Sequence, residues 1–172
     1  MEHKKPLLIR PIQERDSLED LTELLHRAYK QLADMGMRFF ASHQTVQDTH
    51  HRVAGGICYV AELDSRIVGT VTWYHRPPRD PDPPLYHQAG MARFGQFAVE
   101  PALQRGGIGR KLVALVEAEA RKAGCTQLAL DTAEQAAHLI DWYLRLGFQH
   151  AGFVQWADTN YRSVLMSKPL GH

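Results

Sequence analysis

Val99-Glu100-Pro101-Ala102-Leu103-Gln104-Arg105-Gly106-Gly107-Ile108-Gly109-Arg110-Lys111 is the stretch on which the reading of this chain turns. The apolar run Met91 to Val99 leads into it, and a helical pattern to Ala123 follows. Leu112, Leu115, Val116, Glu119 and Ala120 give that helix one mostly apolar face, and Gly124 is its stop. The first N–H groups of a helix have no backbone acceptor, and the macrodipole adds about half a positive charge there. Glycines let the backbone approach a ligand oxygen with no Cβ between them. The stretch therefore predicts an anion cradle of the phosphate-binding kind, with Arg105, Arg110 and Lys111 adding charge beside it. It is not a Walker loop, because no Gly-Lys pair is followed by Ser or Thr. It is not a Rossmann turn either, because Leu112 stands where the last small residue of that fingerprint belongs. A glycine-rich helix entry that binds nothing is the remaining alternative.

Outward from this turn, period and punctuation predict the other elements. Leu7 to Arg10 reads as a short strand closed by Pro11. Asp16 or Ser17 caps a helix with Leu18, Leu21, Leu24, Leu25, Ala28 and Leu32 on one face, and Asp16 with Glu19 has capping-box spacing. A glycine-containing connection with Met35, Met37, Phe39 and Phe40 leads to a weaker helix from Thr45 to Ala54. Ile57–Leu63 and Arg66–His75 flank the turn residues Asp64-Ser65 and read as a hairpin. Arg76 to Gly90 holds five of the nine prolines and has no periodicity, which marks a functional or mobile loop. Gln127 to Leu130 is a short strand, and Thr132 with Gln135 has capping-box spacing for a helix to Leu146. Phe148–Trp156 and Ser163–Ser167 are the last two strands, around the turn Asp158-Thr159-Asn160. The order β-α-α-β-β-β-α-β-α-β-β predicts an α/β protein. Its mixed, mostly antiparallel central sheet has six to seven strands, with helices on both faces.

Composition narrows the partners. At roughly 150 residues per domain, 172 residues predict one domain, spanning 1–172. Twenty Lys+Arg against 19 Asp+Glu give a net charge of +1, which excludes the strong field of a non-specific nucleic-acid binder. Two cysteines without a CxxC, and only three apolar residues near the start, predict no disulfide scaffold, signal peptide or membrane span; a reducing cytoplasm is the expected location. The ten histidines show no HExxH and no zinc spacing, so no metal is expected.

Gln104-Arg105-Gly106-Gly107-Ile108-Gly109 resembles the acetyl-CoA loop of the GNAT superfamily of N-acetyltransferases. Tyr59 to Gly69 is similar to the family's second-to-third strand hairpin, Phe97-Ala98-Val99 to the strand before the loop, and Trp142-Tyr143-Leu144-Arg145-Leu146-Gly147-Phe148 to its Tyr-x-x-x-Gly-Phe block. The blocks stand in family order over about Leu7 to Leu170. The resemblance implies a GNAT-like fold and acetyl-CoA as acyl-donor cosubstrate. It implies that the backbone of Phe97, Ala98 and Val99 pairs with the pantetheine arm as an added strand. It also implies that the loop, from Gln104 through Ile108 to Lys111, holds the pyrophosphate. Tyr143 matches the tyrosine that protonates the departing thiolate. Ala136, Leu139, Ile140 and Tyr143 share one helical face, so Tyr143 points inward, where core packing beside Trp142 and Phe148 is the plain alternative.

The chain departs from the family where a base is wanted. An amine with pKa near 10.4 costs about 4 kcal/mol to deprotonate at pH 7.4. Strand alternation puts Phe97, Gly95 and Arg93 on the face of Val99 and Gln96 on the other, and none of these is a base. A water chain, Glu134, His138 or a loop histidine is left open, and Glu100 reads as surface. Ala136 replaces the asparagine often found seven residues before the tyrosine. Arg93 is a candidate for holding an acceptor carboxylate or phosphate, with a paired or solvated arginine as the plain alternative. Phe39 and Phe40, and more weakly Tyr161, are candidates for the acceptor wall. The expected function is transfer of an acetyl group from acetyl-CoA to a primary amine of a small molecule, by direct attack on the thioester. Acetylation of a protein lysine or N-terminus, and a non-catalytic acyl-CoA-binding sensor, are the alternatives. Nucleic acid and membrane are not expected partners, and a homodimer is left open.

Overall fold

The computed structural model describes residues 5–75 and 82–171. Part of the predicted loop, with Pro77, Pro78 and Pro81, lies outside the described residues. Seven strands form one sheet: β1 (Leu8–Pro11), β2 (Ile57–Leu63), β3 (Arg66–Tyr74), β4 (Met91–Val99), β5 (Gln127–Ala133), β6 (Gln149–Val154) and β7 (Ser163–Pro169). Their spatial order is β1-β2-β3-β4-β5-β7-β6, antiparallel throughout except between β4 and β5. The helices are α1 (Leu18–Asp34), α2 (Val46–Ala54), α3 (Ile108–Lys122) and α4 (Ala137–Arg145). No helix among the described residues is long and apolar enough to cross a membrane.

The sheet is covered on both faces. Leu112, Val113, Val116 and Ala120 of α3, with Ile140 and Tyr143 of α4, pack on Val71, Phe94, Leu128 and Met166. Leu21, Leu24 and Leu25 of α1 pack on Cys58, Val60 and Ala98 from the other side. The strands buried on both faces are the near-continuous apolar ones, and the outer strand β6 is largely exposed. Asp64 and Ser65 both have positive φ, 51° and 63°, which closes the β2–β3 hairpin with the turn twist that matches strand twist.

Three expectations about local structure need correction. Of the two cap candidates Ser17 is the one that caps α1, accepting a hydrogen bond from Asp20 N–H, so the Asp16–Glu19 box does not form. Asp16 instead binds Arg10 through both carboxylate oxygens, at 2.8 and 2.9 Å, and accepts the Gln13 amide. The Thr132–Gln135 box does not form, because β5 runs on to Ala133 and α4 starts at Ala137 with Ala136 as its cap. Strand alternation also fails in β4. Thr70 faces Ala98 while Thr72 faces Gly95, so β4 carries one extra residue, and Gln96 sits at φ 50°. Phe94 and Phe97 consequently share the α3/α4 face, while Gln96 turns to the α1/α2 face with Ala98.

Arg10 ties β1 to two carboxylates, Asp16 and, at 2.9 Å, Glu62 of β2. The hydrogen bonds from Arg10 hold the Asp16 carboxyl below the usual aspartate range. A lowered folded-state pKa contributes stability above the unfolded value near 3.9, and that contribution is lost as pH falls through the folded value. Asp16→Asn is expected to cost about 1.5–3 kcal/mol in denaturant unfolding at pH 7. The deficit should shrink below about pH 4, where the wild type loses the same contribution.

Candidate active site

The β4–β5 ladder holds only three residue pairs, Met91↔Gln127, Ala92↔Leu128 and Arg93↔Ala129. Beyond them β4 continues for six residues and β5 for four with no pairing to each other. The opening between them is a cleft of about 780 Å³. Phe97, Ala98 and Val99 line one side of it, and Asp131 and Thr132 the other. An aromatic wedge accompanies the divergence: Trp142 stacks on Phe97 at 5.8 Å, and Tyr143 meets Phe94 at 6.3 Å. Tyr29 of α1 donates its hydroxyl to the Phe97 carbonyl at 2.7 Å, so this part of β4 is anchored to α1.

The glycine-rich turn closes one end. Gln104, Arg105, Gly107, Ile108, Gly109 and Arg110 line the cleft, whereas Gly106 and Lys111 stand outside that lining. Gly107 caps α3 at φ 87°, a conformation that costs other residues roughly 1–2 kcal/mol, and Arg105 is also left-handed at φ 74°. The helix's first bond runs from Lys111 N–H to the Gly107 carbonyl at 3.1 Å, so the amides of Ile108, Gly109 and Arg110 have no acceptor within the helix. A Cβ at Gly109 would lie 3.2 Å from the Phe97 ring, so the glycine lets helix and strand approach closely. Gln104 Nε2 bonds the Val99 carbonyl at 3.2 Å and ties the loop to β4. These free amides, with Arg105 and Arg110, fit a pyrophosphate. The buried Thr132 hydroxyl, also beside the cleft, has no partner among the described residues.

The middle of the cleft holds Tyr143 and Asp131. The Tyr143 ring is buried among Phe94, Trp142 and Phe148, and burial pushes its pKa well above the ordinary tyrosine value. Burial also pushes the Tyr29 phenol up, to about 12. Asp131 was missed by the alternation argument, which searched β4 and not β5. Its carboxylate accepts Tyr86 Oη–H and Trp156 Nε1–H, both at 2.9 Å. Burial raises its pKa against the opposing effect of those two bonds. The sequence does carry a signal, a lone acid in the apolar strand Leu128-Ala129-Leu130-Asp131-Thr132-Ala133. Of the other open candidates, Glu134 is engaged by Arg162 at 2.7 Å, and His138 lines the cleft from the exposed side of α4. Glu100 is not a free surface acid, since Arg27 binds both its oxygens.

The predicted acceptor residues separate. Phe39 lines the cleft and contacts the Tyr29 and Tyr161 rings at 5.2 and 4.9 Å. Tyr161 is not on the cleft lining; it is buried behind Phe39 with Leu32 and Ala136. Phe40 turns away from the cleft towards His43 and lies beneath the Arg52 guanidinium. Arg93 also lies off the cleft lining, 3.8 Å from Asp82 and against the Tyr74 and Tyr86 rings, so the bulge leaves it on the α1/α2 side.

A mixed sheet that opens beside a helix amide cradle defines an acyltransferase fold, and comparison with known proteins gives the family. The acetyltransferase (GNAT) family model matches residues 18–148, and the chain belongs to that family. It is 34% identical over 161 residues to S-(2-succino)cysteine N-acetyltransferase of Bacillus subtilis, covering 92% of this chain and 93% of the relative. The ribosomal-protein-S18-alanine N-acetyltransferase of Escherichia coli superposes with a TM-score of 0.71 at 17% identity, over 97% of this chain and 96% of that one. A GNAT family acetyltransferase from Elizabethkingia anophelis, solved with acetyl-CoA bound, superposes with a TM-score of 0.66 at 18% identity, over 95% and 98%.

A Cβ at Gly107 meets nothing within 4 Å, so a side chain there adds strain and charge but no clash. Gly107→Glu is expected to fold and to lose acetyl-CoA binding in calorimetry by more than about 100-fold, because a carboxylate would face the phosphates. Gly107→Ala, with the same backbone strain and no charge, should retain measurable affinity.

Proposed function

We propose that this acyltransferase moves an acetyl group from acetyl-CoA to the primary amine of a small molecule. The observation that carries the reading is the continuity of the cleft, from the free amides of α3 to Asp131 and Tyr143. Acetyl-CoA supplies an acetyl thioester, whose carbonyl carbon the amine attacks as the thiolate leaves. The loop amides, with Arg105 and Arg110, bind its pyrophosphate, and the unpaired edge of β4 at Phe97 to Val99 takes the pantetheine arm as an added strand. The amide of Ala98 or Val99 polarises the thioester carbonyl. Asp131 accepts the proton of the incoming ammonium, and its raised pKa narrows the gap to an amine. Tyr143, kept protonated by its raised pKa, donates to the thiolate. A small acceptor is favoured by the Bacillus subtilis relative, which is named for a modified amino acid.

The direct experiment is thiol release from acetyl-CoA against amino acids, polyamines, aminoglycosides and peptides. Release above hydrolysis with a small amine supports the reading. Bound acetyl-CoA with no transfer to any acceptor would turn the chain into a sensor. Tyr143→Phe should lower kcat about 10- to 1000-fold with acetyl-CoA affinity kept. Asp131→Asn should lower kcat/KM by about 100-fold or more. The wild-type acid limb should lie above the ordinary aspartate pKa. In the Asn variant that limb should give way to a rise of about one decade per pH unit, because only the free amine then reacts. An unchanged profile would remove Asp131 from the base role.

A further inference from the structure

Three arginines are half-buried among the described residues: Arg10, Arg52 and Arg93. Arg10 has two carboxylate partners and Arg93 has Asp82, but Arg52 has none among the described residues. A guanidinium taken partly out of water without a counter-ion is costly, so its placement calls for a reason. Arg52 is held in place by neutral groups. Its Nη1 donates to Gln44 Oε1 at 3.1 Å, and its guanidinium covers the Phe40 ring with Cζ 5.2 Å from the centroid. Gln44 is fixed in turn by Gln96 and by Thr49, which hydrogen-bonds Thr22 in the buried layer between α1 and α2. Turning the Gln96 amide so that its oxygen faces Arg52 exchanges its bond from Gln44 Nε2 for bonds from the guanidinium at 2.6 to 3.0 Å, while Thr49 still holds Gln44. These contacts orient the cation; among the described residues no carboxylate pairs with it directly, and Asp48 and Asp131 lie within range of its charge.

Arg52 is not on the cleft lining; it lies behind β4, against Gln44 and Gln96. Gln96 is the left-handed bulge residue of β4, and its neighbour Phe97 lines the cleft. The Arg52 charge also acts on Tyr29, Asp131 and Tyr161, which surround that part of the molecule. The carboxylate proposed as the base and an arginine with no ion pair among the described residues are therefore within electrostatic range of each other. Arg93, against Tyr74 and Tyr86, adds a second cation on the same face of β4.

We propose that Arg52 is the counter-ion for a carboxylate of the acceptor, so that the acceptor class is amino acids and their acidic derivatives, with the amine directed to Asp131. The proposal rests on the acetyltransferase reading and names its substrate class. A carboxylate accepts two parallel N–H bonds from an arginine fork, which fixes orientation as well as charge. Neutral amines and polyamines leave Arg52 unneutralised and are discriminated against. S-(2-succino)cysteine, with three carboxylates and one amine, is a suitable probe.

The test compares S-(2-succino)cysteine and a panel of amino acids with their methyl esters, in wild type, Arg52→Gln and Arg52→Lys. Melting temperature and acetyl-CoA affinity are measured on all three proteins. The wild type should prefer the best free acid over its ester by about 100-fold in kcat/KM, mostly through KM. Arg52→Gln should cut that preference to within about threefold with acetyl-CoA affinity unchanged, and Arg52→Lys should restore part of it. A wild type that acetylates acid and ester equally, or an Arg52→Gln variant that keeps the preference, overturns the inference and leaves the acetyltransferase reading standing. Calorimetry with acetyl-CoA separates the two: loss of donor binding in wild type would fail the parent reading instead. If both Arg52 variants lose donor affinity and melting temperature together, Arg52 is a structural residue and the inference is overturned.

Discussion

The arrangement depends on the place where β4 and β5 stop pairing. Two parallel strands with compatible registers would ordinarily continue their ladder, because an unpaired buried amide or carbonyl is costly. Here pairing ends after Arg93 and Ala129, and the groups past that point are left to the cleft or to side chains. Tyr29 takes the Phe97 carbonyl, and the Phe97–Trp142 stack occupies the α3/α4 face beside the opening. The free stretch of β4 at Phe97 to Val99 and the first residues of α3 line one cleft. An extended ligand arm can then satisfy β4 as another strand would, which is why a fold held together by backbone pairing can carry a long, flexible cosubstrate.

The cleft is electrostatically graded along its length. One end combines α3 amides with Arg105 and Arg110, a field that suits phosphates. The middle is aromatic and apolar, and there burial keeps Tyr143 neutral and raises Asp131. Burial acts on both groups in the same direction but with opposite chemical use. It keeps the phenol protonated, as the proposed donor must be, and it leaves the carboxylate more willing to accept a proton. The acid and the base proposed for the transfer thus owe their shifts to the same cause, burial in one segment of the cleft.

Much of the fold was legible because its signals are local. The helical stripe of Leu18 to Leu32, the glycine-rich entry to α3 and the β2–β3 turn each follow from a few neighbouring residues, and the mixed sheet follows from the element order, though the place of β7 between β5 and β6 does not. The glycine loop was legible for the same reason. The faces of β4 were not, because the alternation rule assumes an unbroken pleat. The bulge at Gln96 exchanges the faces of half of β4, so Arg93 and Phe97, placed together by a period of two, lie on opposite sides. Asp131 was hidden for a different reason: Thr132 resembles a helix cap, and only tertiary pairing with β7 extends the strand through it. Phe40 and Tyr161 were read as walls from their position in the chain. Whether an aromatic side chain meets solvent, a cation or another ring is decided by partners far away in sequence, here Arg52 and Phe39.

The same bulge connects donor side and acceptor side. A left-handed backbone at a non-glycine residue costs on the order of 1 kcal/mol and persists where the surroundings determine it. At Gln96 two things would change together if the strand were regular. Phe97 would leave the α3/α4 face, taking with it the stack on Trp142 and the contact below Gly109. The Gln96 carboxamide would leave the α1/α2 face, and with it the layer of Gln44, Thr49 and Thr22 that orients Arg52. A regular strand continued from Phe94 satisfies neither, because it puts Gln96 on the face of Phe94 and Phe97 on the opposite one. One extra residue lets Phe94 and Phe97 share the α3/α4 face and sends Gln96 to the other, so Phe97 shapes the cleft while Gln96, beside it in the chain, lies against Arg52.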